Sequence, residues 1–524
     1  MSKPKKLSLK QLQKMFISGG LTEIQLRTQL ENMYVPAQIE LIVTETKRMK
    51  DASEALPERE AQPKLRYVSS FTVANSVFES IIDGVFPSFL RYSVAKDEWE
   101  IEKEYDLGDE TLLPLGLGTY PYPSYYLNTA IFDALKRRAY RSTLNDLYHE
   151  ILEEFNTFID APSQYKALGA SFILETYLQH KFDAMSYPFL LGDIDSGKSR
   201  FLELIKNLAY RPMMTAYLNE ANVYNFIGDR EEGNCTILED EAHLLSREKN
   251  IDKLGIYRSG YRRGSVVPRI LDASSSERKQ KFYKVYCSKA FAGYYLPNDE
   301  AFKTRCIPIY MVWGQPSKDK FEDEDRDRFR SLRFKLFIYR MIHYFDPPPK
   351  VELGMSGRLR EVWESKVQAV VGTDGEEIMR NMAENYRNMK MEERNQSLEA
   401  YITRTLLILA EQYPTQISFS TIYNSLLKIL GETEHIGETS YNSDFLGRKI
   451  SRRGVGLKLG SIFNGRKEQI FGKGRVWTFD TRVLNKLRTK YAVDDKELQE
   501  IKVILAMISA DEDERKQAAE ELFK

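Results

Sequence analysis

Residues 192–200 read GDIDSGKSR, immediately after the apolar run YPFLL. The pattern G-x-x-x-x-G-K-[ST] is met at every fixed position, by Gly192, Gly197, Lys198 and Ser199. Tyr187 to Leu191 has the length and apolarity of a short buried strand, and SRFLELIKNLAY places Phe201, Leu202, Ile205 and Leu208 on one helical stripe. Strand, glycine loop and helix start therefore follow in the order that a phosphate cradle requires. Backbone N–H groups of such a loop, together with the helix N-terminus, point partial positive charge at an anion. On this reading Gly192, Asp193, Ile194, Asp195, Ser196, Gly197, Lys198, Ser199 and Arg200 wrap the phosphates of ATP. Lys198 reaches the β- and γ-phosphates and Ser199 ligates Mg²⁺. The competing reading of the same residues is a solvated polar turn.

A bound Mg-nucleotide needs a carboxylate to fix the shell of the ion. CTILEDEAHLL supplies one: Cys235 to Leu238 is apolar enough for a strand, Asp240 is placed to hold the metal shell, and Glu241 to polarise an attacking water. Glu239 is out of place so near the end of a buried strand, and a subunit boundary would accommodate it. FYKVYCSKAFAG offers a third strand, with Ser288 as the polar side chain that could sit between the acidic strands and sense the γ-phosphate. In NDEAFKTRCIPIY, Arg305 ends a helix just before another apolar strand. There it can reach a neighbouring subunit's nucleotide, or it is a surface arginine with a solvated head.

The 524 residues allow about three or four domains. Residues 1–60 read as helical, 61–164 as a small mixed α/β collar, 165–394 as the α/β domain around the glycine loop with a helical lid, and 491–524 as a polar C-terminal helix. Residues 395–490 have the pattern of a winged helix, with SDFLGRKISRRG as third helix and LKLGSIFNGRKEQIF and GRVWTFD around a glycine-rich wing. Lys plus Arg equals Asp plus Glu at 76 each, so any surface for a polyanion has to be local. Cys235, Cys287 and Cys306 form neither a zinc spacing nor a disulfide framework, which suits a reducing cytoplasm. MSKPKKLSLK has no apolar core behind it, so a secretory signal is not expected, and no run is long enough for a membrane span.

Four segments in this order, FILETYLQHKFDAMSYPFLLGDIDSGKSRFLELI, CTILEDEAHLL, LGIYRSGYRRGSVVPRI and FYKVYCSKAFAGYYLPNDEAFKTRCIPIYM, resemble the AAA+ ATPases of plasmids, viruses and integrated elements that act as replication helicases. The layout is similar to superfamily 3 and minichromosome-maintenance helicases, over about residues 165 to 365. The resemblance implies an AAA+ P-loop fold that assembles as a homo-oligomer, by family habit a hexamer. It assigns Walker A to Gly192, Gly197, Lys198 and Ser199, Walker B to Asp240 and Glu241, sensor 1 to Ser288 and the arginine finger to Arg305. SGRLREVWESKVQAV resembles the lid helix, nominating Arg358 for sensor 2, with Arg360 close behind. Where Glu239 stands, the family has an aromatic or aliphatic residue.

Two regions are candidates for DNA. SVVPRIL and KFYKVY flank the polar turn DASSSERKQ, the pattern of a β-hairpin. In helicases that this chain resembles, a hairpin there lines the channel and grips a single strand, and Arg278, Lys279 and Lys281 crowd its tip side. The bland alternative is an exposed charged loop. Arg258, Arg262 and Arg263 serve either that channel or a subunit interface. In the wing region Arg448, Lys449, Arg452, Arg453, Arg466, Lys467, Lys473 and Arg475 stand out in a chain of zero net charge, and suit duplex phosphates or a protein partner. These readings together predict a DNA helicase or translocase driven by ATP. The rival is an ATP-switched replication initiator or helicase loader that does not unwind.

Overall fold

The apolar runs around the glycine loop assemble into one parallel sheet. It is seen in a computed structural model, which describes residues 8–31, 33–54, 64–116, 124–215, 218–227, 232–270, 280–430, 444–445, 448–470 and 474–507. The strands are β1 (Tyr187–Leu191), β2 (Pro212–Thr215), β3 (Thr236–Glu239), β4 (Ser288–Gly293) and β5 (Cys306–Tyr310), in the order β2-β3-β4-β1-β5. Every residue of β1, β3 and β4 is buried, which is why they read as continuous apolar runs and not as alternating ones. All neighbours are parallel, so the carboxyl ends of the five strands share one edge. The order of connection reverses beside β1, and such a switch point opens a crevice for a ligand at that edge.

Helices cover the faces: α1 (Ser163–Leu178) precedes β1, α2 (Lys198–Leu208) follows the glycine loop, α3 (Ile251–Ser259) follows β3, and α4 (Asp323–Ile342) and α5 (Gly357–Gln368) follow β5. The expected stripe of α2 is buried, with Leu204 added to it. A fully buried ion pair, Lys366 Nζ to Glu175 Oε2 at 2.5 Å, ties α5 to α1. Burial pulls the lysine pKa down and pushes the carboxyl up, and the attraction between them opposes both shifts. Removing one member strands the other charge, so Lys366→Met should cost about 3–5 kcal/mol. Glu175→Leu combined with Lys366→Met should recover most of that loss, read as the urea midpoint of each variant.

Ahead of this, the helices Leu9–Ile17, Glu23–Glu31 and Pro36–Glu54 share a core that includes Leu12, Phe16, Leu26 and Leu30. An antiparallel sheet follows, Ser70–Val73, Ser76–Asp83, Phe86–Ser93 and Glu98–Glu102. Its Glu79 is wholly buried and fastens it to the central domain, taking Arg211 at 2.5 Å, Arg340 of α4 at 3.1 Å and the Tyr210 hydroxyl at 2.9 Å.

The chain divides into two compact units, Met1–Met382 and Ala383–Lys524, with the boundary inside the helix Gly375–Asn395. The second unit contains the helices Leu398–Gln412, Phe419–Ile429 and Arg452–Ser461, then the strands Arg466–Ile470 and Gly474–Thr478, which form a sheet with Ile417–Ser418. Ile402, Leu406, Ile422, Leu426, Val455, Leu459 and Trp477 fill its core. Here the third helix departs from the expectation. Asp444–Phe445 and Arg448–Lys449 pair as short antiparallel strands, and the helix starts only at Arg452, where the Ser451 hydroxyl accepts the Gly454 N–H at 3.0 Å. A serine cap sets that start. Arg448 and Lys449 are therefore not on the helix that carries Arg452 and Arg453, and LKLGS, expected as strand, is its second half.

Candidate nucleotide and arginine sites

The glycine loop leaves β1 at the carboxyl edge of the sheet. Gly192 has no room for a side chain, since a Cβ there would lie 2.3 Å from the Met311 carbonyl oxygen. Gly197, at φ +85°, is in the left-handed region that glycine tolerates. As it also occupies the N-cap of α2, no side chain caps that helix, and the orphan first-turn amides are left for an anion. Lys198 is buried, and its ammonium donates to the Gly192 carbonyl at 2.8 Å, the Asp193 carbonyl at 2.5 Å and the Ser196 hydroxyl at 3.2 Å. The loop's own oxygens hold the amine where phosphate oxygens would take their place. A cleft of about 680 Å³ opens beside it, lined by Ile159, Asp160, Gly197, Lys198, Ser199 and Gln315 among others.

The acidic strand lies where the sequence puts it. The Ser199 hydroxyl donates to Asp240 Oδ2 at 2.7 Å, so the two oxygens expected around Mg²⁺ already touch. Among the described residues no group of three or more His, Cys, Asp or Glu side chains could hold an ion unaided. An ion bridging phosphates does not need one, because substrate oxygens and waters fill most of its shell. Glu241 turns out of the strand at φ +55° into solvent, with His243 Nε2 3.5 Å from its carboxylate.

Glu239 corrects the sequence reading: it faces no boundary. It is 2% exposed, with Lys253 Nζ at 2.5 Å and the Tyr257 hydroxyl at 2.6 Å, both from α3. Burial raises its carboxyl pKa, opposed by the nearby Lys253 ammonium. The pair fastens α3 to the end of the strand that presents Asp240.

Ser288 is also corrected. It opens β4 instead of closing it, level with Thr236, the first residue of β3. It is fully buried, its N–H donating to Gln179 Oε1 at 2.9 Å and its hydroxyl facing Met185 Sδ at 3.4 Å. A strand length separates it from the glycine loop. Gly293 is level with Leu191, so the next residue, Tyr294, is the one beside the loop, with its ring 5.2 Å from Lys198 Nζ. His243 packs against the rings of Tyr294 and Tyr295 at 4.8 and 5.5 Å. Sequence reasoning missed Tyr294 and His243, although GYYLPN directly follows the apolar run.

At the opposite edge lies a second site. Arg305 precedes β5, whose Cys306 is level with Tyr187 and Tyr310 with Leu191. Arg305, level with Ser186, is thus a full strand, about 17 Å of backbone, from the loop that follows Leu191. One guanidinium N–H bonds the Ala301 carbonyl, Nε is buried without an acceptor, and among the described residues no carboxylate lies within ion-pair range. Arg358 stands beside it, since both guanidinium groups lie over the Tyr261 ring, at 5.4 Å for Arg305 and 4.8 Å for Arg358. Arg258, Arg262, Arg305 and Arg358 together line a depression of about 760 Å³. Arg358 is therefore on the expected lid helix but belongs with Arg305 and not with the glycine loop of its own chain. Arg360 is engaged with Glu364 at 2.6 Å.

Of the DNA candidates, the hairpin forms as expected, Val266–Ile270 against Gln280–Lys284. Lys281 is on its strand, opposite Arg269 and one pair in from Ile270 and Gln280, which is the tip side of the ladder, with Nζ 4.8 Å from the Tyr283 ring. Arg278, Lys279 and Lys473 lie outside the described residues. Arg452, Arg453, Arg466, Lys467 and Arg475 are exposed, whereas Lys458 is engaged by Glu399.

No family model and no curated protein matches the chain. Solved structures similar to it include the SCCmec type IV Cch, an active helicase, at TM-score 0.35 and 12% identity over 88% of this chain and 88% of that one. The apo C-terminal region of NrS-1 is similar at TM-score 0.32 and 11% identity, over 77% of this chain and 96% of that one. No helix among the described residues is long and apolar enough to cross a membrane.

Proposed function

We propose that this chain is an ATP-hydrolysing, ring-forming motor on DNA, a helicase or translocase serving replication of a mobile genetic element. One observation carries the reading: Ser199 and Asp240, 2.7 Å apart, sit with Lys198 at one edge of the sheet, while Arg305, with no acidic partner among the described residues, waits at the other. ATP with Mg²⁺ would occupy the first edge, where Lys198 leaves its loop carbonyls for the β- and γ-phosphates and Asp240 and Ser199 hold the ion's shell. Glu241 orients the attacking water. Tyr294, in contact with Lys198, takes the γ-phosphate-facing position that Ser288 does not reach. Arg305 is too far from its own nucleotide to take part, so the negative charge that develops during hydrolysis is met by the Arg305 of a neighbouring copy. A closed ring, a hexamer by family habit, supplies one such neighbour to every site.

The second unit has the helix and strand order of a winged helix, with Arg452, Arg453, Arg466, Lys467 and Arg475 as its exposed duplex-facing cations. Phosphate contacts make affinity depend on salt, with a slope of about 0.9 per contact. Neutralising Arg452, Arg453, Arg466 and Lys467 together should flatten that slope by about three to four units, whereas Lys458→Ala, whose amine is engaged by Glu399, should leave it unchanged; fluorescence anisotropy across a salt series reads both. Unwinding of a forked duplex with ATP tests the motor itself. An oligomer that hydrolyses ATP and never separates strands would instead assign the chain as an initiator or loader.

A further inference from the structure

We propose that Tyr261 is a positioning residue that holds Arg305 and Arg358 as a paired anion clamp for the nucleotide of the adjacent subunit. The inference rests on the reading of Arg305 given above and names the side chain that sets its geometry. Two guanidinium groups, 5.4 and 4.8 Å from one ring centroid, would repel each other in the absence of an anion. The charge of Arg358 acts in that direction: it is the second cause, after burial, holding the Arg305 pKa below its ordinary value. An aromatic face offsets part of that repulsion through its quadrupole. Tyr261 is suited to the task because it cannot move: it is 1% exposed, its carbonyl accepts the Met185 N–H at 3.0 Å, and its ring meets Tyr187 edge-on at 6.2 Å.

Its buried hydroxyl makes no hydrogen bond of good geometry, although Arg358 and Glu361 are near enough to act on it in opposite directions. Both cations lie over the ring and neither depends on the hydroxyl for its place there, so the ring is the working part. Glu361, 3.0 Å from Arg358, restrains that arginine and leaves Arg305 as the member with no carboxylate among the described residues to satisfy it. A phosphoryl group arriving from a neighbour then finds both cations assembled, and little reorganisation is left for the moment of reaction.

The experiment is steady-state ATP hydrolysis by the full-length oligomer carrying Tyr261→Leu, Tyr261→Phe, Arg305→Ala, or Arg305→Ala with Arg358→Ala. Tyr261→Leu should lower kcat about 3- to 30-fold with KM within twofold, and Tyr261→Phe should keep both. Adding Tyr261→Leu to the double arginine variant should change kcat no further. Should Tyr261→Leu not fold, Tyr261→Met fills a similar volume without a ring and takes its place. A folded ringless variant with normal kcat overturns the proposal, as does an undiminished further loss in the double arginine background. If Arg305→Ala itself leaves kcat intact, the reading of Arg305 has failed, an outcome separable from loss of the Tyr261 role alone.

Discussion

Lys198→Ala should reduce ATP turnover at least about a hundredfold, the scale on which one well-placed charge-stabilising donor is measured. The amine is buried and donates to three oxygens of its own loop, so removing it has two separable consequences. The loop carbonyls lose a donor, which would loosen the turn between β1 and α2. The β- and γ-phosphates lose the cation that neutralises them during transfer. Lys198→Arg separates the two: a guanidinium keeps the charge but is too large for the pocket formed by the Gly192 and Asp193 carbonyls and the Ser196 hydroxyl. It should also be inactive if geometry decides, and partly active if charge alone suffices. Anisotropy of the same variants with duplex DNA should be unchanged, because the wing cations belong to the unit Ala383–Lys524. Wild-type turnover from Lys198→Ala would remove the phosphate cradle from the account.

The parts of the site legible in the sequence were those encoded by local spacing. Gly192, Gly197, Lys198 and Ser199 belong to one loop, and Asp240 follows its strand directly, so the meeting of Ser199 and Asp240 at 2.7 Å required only that β1 and β3, on either side of β4, run parallel. Ser288 failed because KVYCSKAFAG reads as one run, whereas the chain pairs Gln280–Lys284 in the hairpin and starts β4 afresh at Ser288. Which end of an apolar run faces a ligand follows from strand direction in the sheet, and a parallel sheet puts its ligands at carboxyl ends. That rule points past Gly293 to Tyr294.

The partner of Glu239 and the surroundings of Arg358 were not legible for a different reason. The partner of Glu239, Lys253, is on a helix that folds back beneath its strand, and no periodicity of the strand predicts it. Arg358 is on the helix that its resemblance indicated, but which edge of the sheet the start of that helix reaches is decided by packing, through pairs such as Lys366 with Glu175. In the second unit the helix start was set by the Ser451 cap, a signal present in ISRRG but weaker to the eye than the charge run around it.

Arg305→Ala should leave nucleotide affinity nearly unchanged and lower kcat by about a thousandfold or more, the low end of what arginine fingers contribute. The split between KM and kcat follows from position: the residue is a full strand away from its own glycine loop, so it can meet only charge that a neighbour develops in the transition state. Mixing decides whether that neighbour exists. Glu241→Gln subunits keep Arg305 but cannot orient water, and Arg305→Ala subunits keep Glu241 but cannot clamp the adjacent site. Each preparation alone should be nearly inactive. Mixed before assembly, they should regain activity at interfaces where an intact Glu241 faces an intact Arg305, a fraction near one quarter for random order. Interfaces acting independently give a smooth dependence on mixing ratio, and a ring that must fire in sequence gives a steeper one. Activity that never rises above the sum of the separate preparations, in an oligomer of unchanged size, would place Arg305 outside the reaction and leave its missing carboxylate to be explained by another anion.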